Sequence, residues 1–208
     1  LWSGHALRQR EELARFVERS GDESLATEYH DIETNAVPSS RENFLYYTLK
    51  KYEQASPPAI RERKLDEEHS IGVHRASSNR DLELDAQIIE IGRCRPDWLD
   101  PRLSQEGLEL LAESDAMIVN IDYPLGMAAY EVLSRVAENV GEIQGIYIMG
   151  KAASLNGRIG DVMIPNIAHD QHSDNTYLFN NCFVAADVSP YLVYGNVLDN
   201  QKAVTVKG

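Results

Sequence analysis

The sequence predicts an α/β domain with helical decoration on its N-terminal side, and three observations carry that prediction. Residues 116–121, Ala-Met-Ile-Val-Asn-Ile, are a short continuous apolar run, the pattern of a strand covered on both faces in a mostly parallel sheet. Residues 122–126 turn the chain into a segment of helical period over 127–140. It carries Met127, Tyr130, Val132, Leu133 and Val136 as its apolar positions, with Gly141 placed to end it. Residues 143–149 read as a second strand, and a strand, helix and strand in this order form a right-handed parallel crossover within one sheet. A third strand follows the glycine at 160.

The remaining elements are weaker. Residues 6–20 place Leu7, Leu13, Phe16 and Val17 close to a helical period, and Gly21 supplies the stop. Residues 22–40 are polar and end in Val37-Pro38-Ser39-Ser40, a turn whose serines suit the cap of a helix over 41–54. That helix carries Phe44, Leu45, Leu49 and Tyr52 and breaks before Pro57-Pro58. Residues 59–81 are rich in charge and almost without apolar period, which predicts a surface connection. The expected division is therefore an N-terminal helical region with its charged connection over 1–80 and an α/β domain over 81–208. Within the second, 82–93 reads as a short strand or helix end, 93–101 as a proline-punctuated loop, and 103–113 as a helix capped by Ser104. Residues 175–183 read as a buried segment anchored by Tyr177, Phe179 and Phe183. A turn-rich connection then enters a last strand at 203–206. Because the chain starts at Leu1 and stops at Gly208 directly after that strand, we expect segments beyond both ends and an α/β domain incomplete at its C-terminus.

Composition narrows the function classes. With 33 acidic and 20 basic residues the net charge is −13, so there is no excess of cations to replace the counterions of a nucleic acid. The chain has no run of the roughly 18–20 apolar residues needed to span a bilayer. Its two cysteines, Cys94 and Cys182, stand far apart with no zinc-ligand spacing, and a reduced cytoplasmic setting is the economical reading. His69 and His74 lack acidic or cysteine partners at ligand spacing. His169-x-x-His172 with Asp170 and Asp174 reads as a polar loop or subunit contact before a metal cluster, because Pro165 and Ser173 argue against a helix there and no third ligand is in register. We expect no metal and no organic cofactor. Cys182 has no histidine partner in the sequence to activate it as a nucleophile.

In open α/β sheets ligands bind outside the carboxyl ends of the strands. Those ends carry residues 122–126 and 150–154, and Gly126 and Gly150 let backbone approach a ligand closely because they lack a Cβ. The order of motifs adds to this. Gly150-Lys151-Ala152-Ala153-Ser154, then Gly160-Asp161-Val162-Met163-Ile164-Pro165, then His169-Asp170 resembles the superfamily of purine nucleoside phosphorylases, uridine phosphorylases and methylthioadenosine nucleosidases. The resemblance covers about residues 117–180. It implies an α/β/α sandwich with a mixed, mainly parallel sheet, and cleavage of an N-glycosidic bond by phosphate or water. It also implies a homo-oligomer in which the segment after His-Asp reaches a neighbouring subunit.

By the same resemblance Gly126 lies by the phosphate or water, and Gly150, Lys151, Ala152 and Ala153 line the ribose and base. His169 and Asp170 complete the ligand-binding set. No residue is assigned as catalytic. Phosphate is the implied co-substrate, and a nucleoside or nucleotide is the partner, with no nucleic acid and no membrane. Lys151 stands where the family has Ser or Thr, Ala153-Ser154 stands where it has Gly-Gly, and its ribose-binding Glu-Met-Glu stretch has no match. These departures keep open a catalytically inactive member acting as a scaffold or oligomerisation module, and an unrelated sheet-based binding domain with coincident glycine turns.

Overall fold

The computed structural model describes residues 2–34, 41–77, 85–103, 106–122, 124, 126–192 and 194–205. The turn at 37–40, Arg80, Ser104, Tyr123, Leu125 and Val206 lie outside them. The chain is α/β and divides into two compact units, Leu1–Gly150 and Lys151–Gly208. No helix among the described residues is long and apolar enough to cross a membrane.

The first unit opens with helices α1 (Trp2–Arg8), α2 (Arg10–Ser20), α3 (Glu23–Glu33), α4 (Arg41–Ala55) and α5 (Pro58–Ser70). The single helix expected over 6–20 is two, divided at Gln9, which precedes α2. Gly21 ends α2 in the left-handed region at φ +68°, as its position predicts. The polar stretch 22–40 contains α3, which was not expected. Asp22 starts it by accepting a hydrogen bond from the Leu25 N–H at 3.0 Å, and Lys51 Nζ fixes that carboxylate at 3.0 Å. Two apolar clusters form the core of this block: Ala6, Leu13, Leu45 and Leu49, and Val17, Leu25, Ile32 and Phe44.

The charged stretch 59–77, expected as an open connection, is helix α5 and strand β1 (Val73–Ser77). Pro58 suits the first turn of α5, where a missing N–H leaves no bond unmade. The helix has almost no apolar face because ion pairs hold it. Lys64 meets Glu53 at 2.6 Å, and the buried Glu68 takes both nitrogens of Arg75 at 2.6 and 3.0 Å, joining α5 to β1. β1 pairs antiparallel with β2 (Asp85–Glu90), and β2 antiparallel with β3 (Met117–Ile121), in the order β1-β2-β3. The helix expected over 103–113 is replaced by short 3-10 turns at Pro101–Leu103 and Leu108–Glu113. Helix α6 (Gly126–Asn139) falls where the sequence puts it. Residues 143–149, expected as a strand parallel to β3, carry no strand pairing.

The second unit is a sheet in the order β5-β4-β6, from β4 (Val162–Asp170), β5 (Asn175–Leu178) and β6 (Val197–Thr205), with a short helix α7 (Ala185–Val188). β4 is antiparallel to β5 and parallel to β6. Among the described residues this is the one parallel pairing. β6 begins six residues before the strand expected at 203, and Asp199-Asn200 belong to it rather than to a turn. Tyr177, Phe179 and Phe183 are exposed instead of buried, because β5 is an edge strand and nothing in its unit covers it.

Candidate functional site

In the first unit, Gly126 opens α6 at φ +53° with no atom within 4 Å of where a Cβ would stand, and Gly150 is equally open. Both positions leave room for a ligand beside the backbone. Asp122 donates its N–H to the Asp85 carbonyl at 2.9 Å, which holds the start of the first loop to the first residue of β2.

In the second unit, Lys151, Ala152 and Ala153 are exposed and irregular. Lys151 makes no salt bridge or side-chain hydrogen bond among the described residues. The turn that follows is fixed by Ser154, whose Oγ accepts the N–H groups of Asn156 at 3.2 Å and Gly157 at 2.7 Å. Asn156 then donates to Gln201 Oε1 of β6 at 3.0 Å. The 151–157 loop is thereby tethered to the sheet by one side-chain bridge.

The Gly-Asp-Val motif acts as a lock between two turns. Asp161 accepts the Arg158 N–H at 2.7 Å and the Asn196 N–H at 2.8 Å, and Val162 N–H returns to the Asn196 carbonyl at 2.8 Å. The two backbone donors, Arg158 first, hold the Asp161 carboxyl below its ordinary range. Gly195, at φ +83°, packs so closely that a Cβ there would sit 2.2 Å from the Gly160 carbonyl oxygen. Sequence reasoning missed Gly195-Asn196; a glycine just before a strand, mirroring Gly160-Asp161, was the available signal.

His169 and Asp170 lie together at the carboxyl end of β4, between β5 and β6. Asp170 accepts from the Ser173 hydroxyl at 2.5 Å, the Thr205 hydroxyl at 2.7 Å and the His172 N–H at 3.1 Å. These donors, Ser173 foremost and then Thr205, depress its pKa strongly, so it is ionised at any physiological pH. His169 Nδ1 bonds Thr176 Oγ1 at 2.9 Å, and its Nε2 is 3.8 Å from an Asp174 oxygen. Ser173, Thr176 and Thr205 are the partners the sequence did not single out. Both parallel strands end here, with Asp170 opposite Thr205. The arrangement can present a fixed negative charge and an imidazole edge. Among the described residues no group of three or more His, Cys, Asp or Glu side chains is placed to hold a metal ion.

The predicted residues fall in both units: Gly126 and Gly150 in the first, and Lys151, Ala152, Ala153, His169 and Asp170 in the second. None of them lines the groove of about 700 Å³ around the α1–α2 junction, which is bordered by Leu7, Arg8, Gln9, Arg10 and Tyr29. The cations there are already engaged: Arg10 pairs with Glu33, and Arg8 lies 3.6 Å from the centre of the Trp98 ring.

The elements and locked turns are those of an α/β protein. The chain belongs to a family of unknown function (DUF6909), whose model matches residues 1–208. No curated protein and no solved structure matches it.

Proposed function

We propose that the chain is a nucleoside phosphorylase-like protein, an α/β/α sandwich with a mixed, mainly parallel sheet, that binds a nucleoside or nucleotide and acts on its N-glycosidic bond. The observation that carries this reading is the course of β4. A Gly160-Asp161 turn opens it, an apolar run fills it, and His169-Asp170 closes it beside the end of its parallel neighbour β6. Ligands bind outside such carboxyl ends.

Glycosidic cleavage passes through a ribose of oxocarbenium character. It needs an anion or water on one face, a carboxylate near the hydroxyls and a proton for the departing base. Lys151 offers a charge for phosphate. Asp161 and Asp170 are committed to backbone and hydroxyl donors, which suits them to shape loops more than to shuttle protons. A homo-oligomer completes the reading.

One observation favours the second reading, a catalytically inactive scaffold or oligomerisation module. The apolar side chains of β3 and α6 in one unit, and of β5 in the other, face solvent and are available to a second copy. Incubating the protein with purine and pyrimidine nucleosides and their monophosphates, with and without phosphate, separates the two. Free base by chromatography, or a ligand-dependent rise in Tm, is expected. Neither, combined with a defined oligomer in light scattering, would leave only the scaffold.

A further inference from the structure

Within the second unit, the turn Ser154-Leu155-Asn156-Gly157 brings a nucleophile, an electrophile and one hydroxyl together. The Ser154 hydroxyl donates to Asn156 Oδ1 at 3.1 Å, while its oxygen accepts the Gly157 N–H at 2.7 Å. Asn156 is exposed, and its Nδ2 donates to Gln201 Oε1 of β6 at 3.0 Å. Gly157 has no side chain to shield its nitrogen. A Cβ there would sit 2.9 Å from Ser154 Oγ, so a larger residue would push that oxygen away from the N–H.

We propose that Asn156 is a self-modifying residue: the Gly157 nitrogen attacks its side-chain amide, with Ser154 acting on both partners, to give a succinimide and then aspartate or isoaspartate. A hydroxyl that accepts from the attacking N–H and donates to the carbonyl oxygen carries the proton between them. It also stabilises the negative charge that builds on that oxygen. As the bond from Gly157 N to Asn156 Cγ forms, the N–H proton passes to Ser154 Oγ and the Ser154 hydroxyl proton passes to Oδ1. When the tetrahedral carbon collapses, the Cγ–Nδ2 bond breaks and Nδ2 leaves as ammonia, taking the proton that Oδ1 returns. Water then opens the ring at either carbonyl. No oxidant or reductant is involved, and water is the one co-reactant.

The product loses the bridge to β6, because the donor Nδ2 has left. Aspartate puts a carboxylate opposite Gln201 Oε1, acceptor against acceptor. Gln201 Nε2 is already held by the Asp199 carbonyl at 2.7 Å, so turning that amide to meet the carboxylate breaks another bond. Isoaspartate adds a carbon to the backbone and shifts the turn itself. Either product frees the 151–157 loop from Gln201, and with it Lys151, Ala152 and Ala153. That this release alters ligand binding rests on the nucleoside reading; the modification does not.

The test compares the folded chain with the same chain unfolded in urea, both kept in neutral buffer, with peptide mass spectrometry following the gain of about one dalton at Asn156. The unfolded chain has the same Asn156-Gly157 pair but no hydroxyl held on both, so the folded chain is expected to react at least ~10-fold faster. A smaller excess, or a slower folded chain, would overturn the proposal, because hydrogen bonds that only fix the turn restrain the reaction. Ser154→Ala is expected to remove the excess, and an unchanged or faster rate in that variant would also overturn it. In the modified chain the Gly157 amide should exchange faster with solvent; unchanged exchange would overturn the loop release. No nucleoside is present in any arm, so failure of the nucleoside reading leaves every readout unchanged.

Discussion

The helical block of residues 2–70 and the stretch 117–150 belong to one compact unit yet treat their apolar side chains in opposite ways. In the first, Leu13, Leu45 and Leu49 are fully enclosed by neighbouring helices, and even the charged helix α5 is held by ion pairs, one of them to the buried Glu68. In the second, Met117, Met127, Tyr130 and Ile148 stand in solvent. The difference teaches where the molecule is finished. The helices satisfy one another locally, whereas the strand and helix that read most clearly as a sheet core lack their cover.

The largest expected effect lies in the closed region. Leu49→Ala should destabilise the protein by about 2–5 kcal/mol in urea unfolding, because it removes enclosed methyl groups and leaves a cavity. Ile148→Ala sharpens the contrast. Its side chain is 92 % exposed, so the change should stay within about 0.5 kcal/mol in the same measurement. A loss of about 2 kcal/mol would mean instead that the side chain is enclosed.

A smaller effect comes from His5, buried beside Glu67 and Gln9. Burial, then the charge of Arg8, lowers its pKa from 6.5 to about 4. Between those values the unfolded chain binds a proton that the folded chain does not, so stability falls as pH drops from about 6.5 to about 4 and this contribution levels off below. Thermal unfolding of a His5→Gln variant should show a shallower loss across that window than the natural sequence. The smallest effect is local. Asp161→Asn should speed hydrogen exchange at Arg158 and Asn196, whose N–H groups the carboxylate accepts, and leave the helical block unchanged.

How much was legible follows the same division. Helix α4, Gly21 as a stop, β3, α6 and the opening of β4 were readable because apolar period and glycine placement coincide there. Helix α3 was hidden because its apolar stripe is only Leu25, Tyr29 and Ile32 in an otherwise polar tract opened by an aspartate cap, and α5 because ion pairs, Glu68 with Arg75 and Lys64 with Glu53, hold it in place of an apolar stripe. The partner of β3 was misjudged for another reason. Alternation and run length mark a strand but not its neighbour, and β2, preceded by a charge-rich tract, pairs with it antiparallel. At the site, His169-Asp170 was legible as a pair. Its fixing by Ser173, Thr176 and Thr205 was not, since Thr205 is 35 residues away and is brought alongside by the parallel pairing of β4 and β6.

The ligand-binding claim is tested most directly by titrating a purine nucleoside, a pyrimidine nucleoside and a nucleoside monophosphate into isotope-labelled protein and following backbone amide shifts. Saturable shifts at Gly126, Gly150, Lys151, Ala152, Ala153 and His169 are the predicted result. No shift with any of the three, or shifts confined to the groove between Leu7 and Arg15, would contradict it.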